Sequence, residues 1–313
     1  VPLDPQVEAF LQAVAAEGGP PIAALTPDEA RLGPYRAIAL GGEAGPIGSV
    51  RDHDVPVDGA TITVRTYTPP TPGPHPIVVF FHGGGWVICD LETHDTLCRM
   101  LCAGADAVVA SVGYRLAPEH RFPTAPHDAF AGLQWVVAHA SDLGGDASRV
   151  ALCGDSAGGN LSAVVSLMAR DRGGPSLAFT ALIYPATDMT ADDDALRDNA
   201  TGFFLETADM DWFMGHYLDQ GQRADPLASP ARAASHAGLP PCFITTCEFD
   251  PLRDQGERYG TLLAAAGVPV EVKRYDGMVH AVAVLGGVID GGRQMVDDVA
   301  DRLRVALHGS GVR

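Results

Sequence analysis

Positive charge is scarce in this sequence. Lys and Arg together number 21 against 39 Asp and Glu, a formal charge of −18 over 313 residues, so the far field repels phosphate backbones and anionic lipid surfaces and disfavours a nucleic-acid partner. Long apolar runs are also missing. No stretch approaches the ~18 residues of a membrane span, and the N-terminus carries Asp4, Glu8 and Glu17 where a secretory signal shows a basic run and then an apolar one. The expected setting is the cytoplasm. The six cysteines (Cys89, Cys98, Cys102, Cys153, Cys242 and Cys247) form no CxxC pair, which reads as free buried thiols and not as a disulfide framework. Cys98 and Cys102 can share a helix face, yet no further ligands lie nearby in sequence, so no metal is assigned there. Charged residues make up only 19% and hydrophobic ones 46%, a balance that excludes a disordered or coiled-coil chain.

What the sequence does contain is alternation. From about residue 46 to 313, short β-rich runs take turns with helical patterns, the mark of an α/β domain with a mostly parallel sheet covered on both faces. Eight strands are expected: Ile47 to Val55, Ala60 to Thr68, Pro76 to Phe81, Ala107 to Val112, Arg149 to Cys153, Ala178 to Tyr184, Cys242 to Cys247 and Val270 to Tyr275. Helices are expected at Thr93 to Ala103, His127 to Ala140, from Ala157, at Asp254 to Ala266 and at Gly292 to Ala306. Two segments break the alternation. Residues 1–45 hold an amphipathic stretch followed by Gly/Pro-rich sequence, and residues 188–232 insert three consecutive aspartates and a cluster of aromatics between two strands. Both read as a cap laid over the sheet. The run Asp192 to Asp194 reads as a solvated turn and not as a calcium site.

At Gly154-Asp155-Ser156-Ala157-Gly158 an apolar β-run ends and an apolar-periodic helix begins. A strand that turns sharply into a helix at a serine forces that serine into a strained conformation, and glycines two before and two after it remove the clash. With 36 glycines and 11 serines in the chain, chance alone gives such a G-x-S-x-G about 0.15 times per sequence, so the flanking strand and helix carry the argument. The helix start points free amides at any negative charge formed on the serine side.

Earlier in the chain, the apolar strand ending at Phe81 runs into His82-Gly83-Gly84-Gly85-Trp86. Acyl transfer puts negative charge on a carbonyl oxygen, and glycines let backbone N–H groups approach it. Gly83 and Gly84, with the amide of Ala157, are the expected donors. In this strand–turn–helix context the remaining partners follow in the order Ser, acid, His. Asp250, halted by Pro251 at the end of a strand-like run, is the expected acid, with Glu248 still in the strand and Asp254 expected to cap the next helix. His280, after the last strand, is the expected base. His82 precedes the serine and reads as a structural histidine bonded to its own loop. Trp86, Phe203, Phe204 and Phe213, with Met210, Trp212 and Met214, are candidates for the apolar pocket wall.

Together these motifs resemble the hormone-sensitive-lipase-like family of bacterial esterases. The resemblance rests on His82-Gly-Gly-Gly-Trp86, Asp90-Leu-Glu-Thr-His-Asp95, Tyr114 to Pro123, Gly154-Asp-Ser-Ala-Gly-Gly-Asn160, Asp250-Pro-Leu-Arg-Asp254 and Tyr275-Asp-Gly-Met-Val-His280. It implies an α/β-hydrolase fold with an eight-stranded sheet and a helical cap, and hydrolysis of short to medium acyl esters by a Ser-His-Asp acyl-enzyme mechanism without a cofactor. A small-molecule ester is the implied partner, and a homodimer is left open. The chain departs from the family at Cys89, where glycine is usual, and at Ala281-Val282, where Gly-Phe is usual. Two other readings stand beside the esterase: a ligand receptor on this fold, disfavoured because gibberellin receptors that resemble the family lack the histidine, and an amidase or peptidase.

Overall fold

The computed structural model describes residues 2–309. β1 (Ser49–Val57) and β2 (Ala60–Thr68) form a hairpin in which Val57 pairs with Ala60 across Asp58-Gly59. Gly59 takes φ +69°, the left-handed conformation that such two-residue turns demand. The chain then forms β3 (His75–Phe81), β4 (Val108–Gly113), β5 (Gly145–Asp155), β6 (Phe179–Ile183), β7 (Cys242–Phe249) and β8 (Val270–Val279). They make one eight-stranded sheet in the order β1-β2-β4-β3-β5-β6-β7-β8. Only the β1–β2 and β2–β4 pairs are antiparallel.

Parallel strands need crossovers, and the crossovers here are helices. Alongside α1 (Pro5–Glu17) run α2 (Asp95–Ala105), α3 (Thr124–Ala138), α4 (Ala157–Asp171), α5 (Thr207–Tyr217), α6 (Arg253–Ala265) and α7 (Asp290–His308). The period-two geometry of a strand sorts β3 between two cores. Ile77, Val79 and Phe81 pack with Leu133 of α3 and Leu161 of α4, while Val78 and Phe80 pack with Leu101 of α2 and Val299 of α7. All seven residues of β3 are buried, which is why this run shows no polar alternation.

Element types match the sequence expectations and several boundaries move. β8 continues four residues past Tyr275, with a register shift opposite Cys247 to Phe249, so His280 follows the strand directly. α3 begins at Thr124, three residues early, because Pro126 fits a first helical turn, where its missing N–H has no partner to lose. Asp254 does not cap its own helix. It lies in the first turn of α6 and accepts the amide of Ala195, at the start of a short helix Asp194–Asp198.

The two segments outside the alternation meet above the C-terminal ends of the strands. Trp212 of α5 donates its Nε1–H to the Leu25 carbonyl at 3.1 Å, and Phe10 of α1 packs on Phe204 with ring centroids 5.3 Å apart. The N-terminal segment is anchored again at its end. The Gly287 amide donates to the Leu40 carbonyl at 2.9 Å, and Gly42 crosses Gly287 so closely that a methyl group on Gly287 would stand 2.6 Å from the Gly42 nitrogen.

Candidate active site

The turn from β5 into α4 is built on steric necessity. Ser156 has φ +55° and ψ −116°, a conformation that costs an L-residue of order 1–3 kcal/mol. Its neighbours hold it there: the Ser156 amide donates to the Ile183 carbonyl at 2.8 Å, and the Ser156 carbonyl accepts from Asn160 at 2.9 Å. A methyl group on Gly158 would lie 1.9 Å from the Phe81 carbonyl oxygen, and one on Gly154 would lie 2.4 Å from that of Gly158. Only glycine fits either position.

Three side chains distant in sequence converge at this turn. The Ser156 hydroxyl donates to His280 Nε2 at 2.9 Å, and His280 Nδ1–H donates to Asp250 Oδ2 at 2.7 Å. Asp250 has no exposed surface. Its other oxygen accepts the Leu252 amide at 2.8 Å, and its backbone carbonyl accepts from Asn199 at 3.2 Å. The acid is thus fixed from both sides, the ring is oriented by the acid, and the ring nitrogen facing Ser156 is left as an acceptor. That arrangement can take the serine proton during attack on a carbonyl. Glu248, the rival acid, accepts the Gly277 amide at 2.7 Å instead.

The glycine loop sits opposite. Gly83 was expected to offer its amide to an oxyanion, and here the structure differs: that N–H donates to Asp155 Oδ1 at 2.9 Å. A methyl group on Gly83 would stand 2.4 Å from Asp155 Oδ2, so the glycine admits the carboxylate and not a substrate. Among the described residues, the amides of Gly84, Gly85 and Ala157 donate to no protein acceptor. Gly84 and Gly85 adopt φ +100° and +57°, turning the backbone as glycine permits.

Asp155 is buried, and His94 Nε2 lies 3.2 Å from its Oδ1. Burial works to raise its carboxyl pKa, but His94, and then His82 and His280, outweigh burial and hold it below the ordinary carboxylate value. The sequence reading missed His94, although it lies within the quoted Asp90 to Asp95 motif; a buried histidine is indistinguishable from a surface one until its partner is known. His82 takes the structural place expected of it. Its Nδ1 bonds the Gly83 carbonyl at 2.7 Å and its ring stacks on Tyr114 at 4.3 Å, while burial and His94 depress it to about 4.

Above Ser156 lies a cavity of about 1570 Å³ lined by both cap segments. Trp86, Phe204, Phe213, Met210 and Met214 line it. Phe203 does not; it stacks on Phe249 at 4.9 Å in the core on the α2 and α7 side. Trp212 also lies outside the wall, because its indole is turned toward Leu25 and His216. Of the departures from the family pattern, Cys89 and Ala281 line the cavity, whereas Val282 is buried in the core on the α2 and α7 side. Cys89 has φ +68° and Ala281 φ +66°, so the chain carries side chains where the backbone conformation favours glycine. Burial pushes the Cys89 thiol well up, away from a reactive thiolate.

A model of the α/β-hydrolase fold matches residues 78–284. The esterase LipI of Mycobacterium tuberculosis is 43% identical over 279 residues, covering 87% of this chain and 82% of that one. The chain belongs to the hormone-sensitive-lipase-like family of carboxylesterases. Ethyl acetate hydrolase of Pseudomonas putida, 36% identical, covers 92% of this chain and 94% of its own. The crystal structure of a thermostable esterase from Pseudomonas putida superposes with a TM-score of 0.94 at 38% identity, covering 98% of each chain. As a member of this family the chain is a serine hydrolase acting on carboxylic esters. No helix among the described residues is long and apolar enough to cross a membrane.

Proposed function

We propose that Ser156 is the nucleophile of this carboxylesterase, His280 its general base and Asp250 the acid that fixes the histidine tautomer and stabilises the imidazolium. The observation that carries the reading is the unbroken hydrogen-bond chain from Ser156 Oγ through His280 to Asp250, at 2.9 and 2.7 Å. As Ser156 attacks the ester carbonyl, His280 takes its proton and later delivers it to the leaving alcohol. Water then enters through the same base and releases the acid. Gly84, Gly85 and Ala157 hold the oxyanion, with Gly83 as the support of the loop.

Residues 1–45 and 188–232 form the cap, and Trp86, Phe204, Phe213, Met210 and Met214 form the apolar wall against which short to medium acyl esters bind. A relative named for hydrolysis of ethyl acetate supports the short end of that range. Another family member has been crystallised, as a serine-to-alanine variant, in complex with (S)-Ac-CPA, which supports a small-molecule substrate in this cavity. Six cysteines without disulfide partners support a reducing compartment, the cytoplasm.

Turnover of p-nitrophenyl esters of graded chain length, beside an aminoacyl anilide, tests the assignment. Ester turnover exceeds anilide turnover, and Ser156→Ala lowers kcat by roughly 10⁶. It also abolishes labelling by a serine-reactive phosphonate. An alanine variant that keeps its ester turnover removes Ser156 from the mechanism.

A further inference from the structure

The cavity wall carries more ionised groups than ester hydrolysis requires, and nearly all of them are matched within the protein. Asp155 faces His94 at 3.2 Å. Asp188 is held by Arg232 at 2.9 Å and Arg258 at 3.6 Å. Arg197 is spanned by Asp192 at 2.5 Å and Asp194 at 2.7 Å. Glu29 and Asp209 each close a capping box. Glu17, Asp211 and Arg36, which also line the cavity, are exposed to solvent.

Arg223 fits neither group. It lines the cavity and is half-buried, and its Nε has no accessible surface and no hydrogen-bond partner. Although the chain has 39 acidic residues, no carboxylate among the described residues reaches it. The position is fixed and close to the nucleophile through a short series of contacts. The Arg223 carbonyl accepts Ser229 Oγ–H at 2.6 Å, and the same hydroxyl accepts the Met189 amide at 2.7 Å. Three residues before Met189, the Ala186 amide donates to the Ser156 carbonyl at 3.3 Å. Asn160 in the first turn of α4 donates to the carbonyls of both Ala186 and Ala228 at 2.8 Å. Met189, Met214 and Leu252 line the same cavity. The wall therefore combines apolar side chains with one half-buried guanidinium that makes no ion pair among the described residues, and a planar fork of N–H groups suits the paired oxygens of an anion such as a carboxylate.

We propose that Arg223 is a specificity-determining residue that selects esters carrying a free carboxylate, separated from the scissile carbonyl by an apolar spacer. This rests on the assignment of Ser156 above. The carboxylate replaces the missing internal partner of Arg223 while the spacer lies along the apolar wall, and desolvation inside the cavity strengthens the pair relative to bulk water.

The test compares monoethyl esters of C4 to C8 dicarboxylic acids with ethyl esters of monocarboxylic acids of matched length, on the whole protein. A second series places the carboxylate on the alcohol side of butyrate esters. For the best spacer, the ratio of kcat/KM between anionic and neutral ester falls at least tenfold in Arg223→Gln, with the change carried by KM. It stays unchanged in Arg51→Gln, which removes an equal charge from the exposed β1. In the wild type the ratio also declines as salt rises. A ratio that is the same in Arg223→Gln as in the wild type overturns the proposal, as does an equal fall for both esters. Should Arg223→Gln fail to fold, a wild type that favours the neutral ester at every length in both series overturns it equally. Ser156→Ala, run in parallel, separates the two readings: turnover close to wild type there refutes the nucleophile, whereas a Ser156→Ala that loses its turnover, with an unaltered Arg223→Gln ratio, refutes only the role of Arg223.

Discussion

The turn at Ser156 and the cap above it line one cavity and are held by opposite means. At the turn, contact is so close that a single methyl group on Gly154 or Gly158 would overlap a backbone carbonyl, and α4 is buried along almost its whole length. In the cap, helices of four or five residues such as Pro27–Ala30 and Gly33–Ala37 lie over the cavity, and Leu32, Tyr35, Ile38 and Phe204 remain well exposed. Polar ties such as Trp212 to Leu25 and the Arg31 fork to Glu119 at 2.6 and 2.8 Å help to hold it. Packing that cannot relax suits a group that must be held to within tenths of an ångström, whereas a wall that can adjust suits a ligand that varies.

Substitutions in the two regions should therefore fail differently. After loss of Ser156 itself, the next large effect is expected at the acid that orients the base: Asp250→Asn lowers kcat by about 10⁴, with little change in KM, in steady-state kinetics. Next comes the support of the oxyanion loop. Asp155→Ala, which releases the Gly83 amide, lowers kcat by roughly 10² to 10³, and Asp155→Asn, which keeps an acceptor, recovers part of that. The carboxyl of Asp155 is held below its unfolded value of about 3.9, so its contribution to stability is fully present above that pH and is lost as pH falls through the lower folded value. Urea melts of Asp155→Asn should show a shallower fall in stability below pH ~4 than those of the wild type.

Cap changes are smaller. Trp212→Phe removes one hydrogen bond worth about 1 kcal/mol from outside the cavity wall, and is expected to raise KM for the longer esters by up to about fivefold while kcat holds. A change in kcat with KM constant would erase the contrast between the regions. Smallest are the two left-handed positions. Cys89→Gly and Ala281→Gly relieve backbone strain and raise stability by up to about 1 kcal/mol each, whereas Ala9→Gly, at an exposed interior position of α1, loses about as much. Calorimetry reads the opposite signs as melting shifts of about 2 °C.

The same contrast decided what could be read from sequence. Strands buried on both faces and helices with an apolar stripe announce themselves by period, so Pro76 to Phe81 and the helix after Ala157 were legible. The glycines around Ser156 were legible because sterics leave no alternative residue. Three things were not. The engagement of Gly83 by Asp155 depends on a contact between residues 72 positions apart, and His94 looks like any other histidine until that carboxylate is placed. Phe203 and Phe204 are adjacent in sequence, yet one faces the core beside Phe249 and the other the cavity, since a short irregular segment has no period to tell its faces apart.

The crossing of Gly42 over Gly287 limits how the cap can move. From Leu40 onward the N-terminal arm is clamped, backbone to backbone, onto the loop that continues from His280. A swing of α1 must pivot ahead of that clamp, leaving the imidazole where the serine needs it. The roof is free to breathe while the base stays still, and a bulky side chain at either glycine would tie the two motions together.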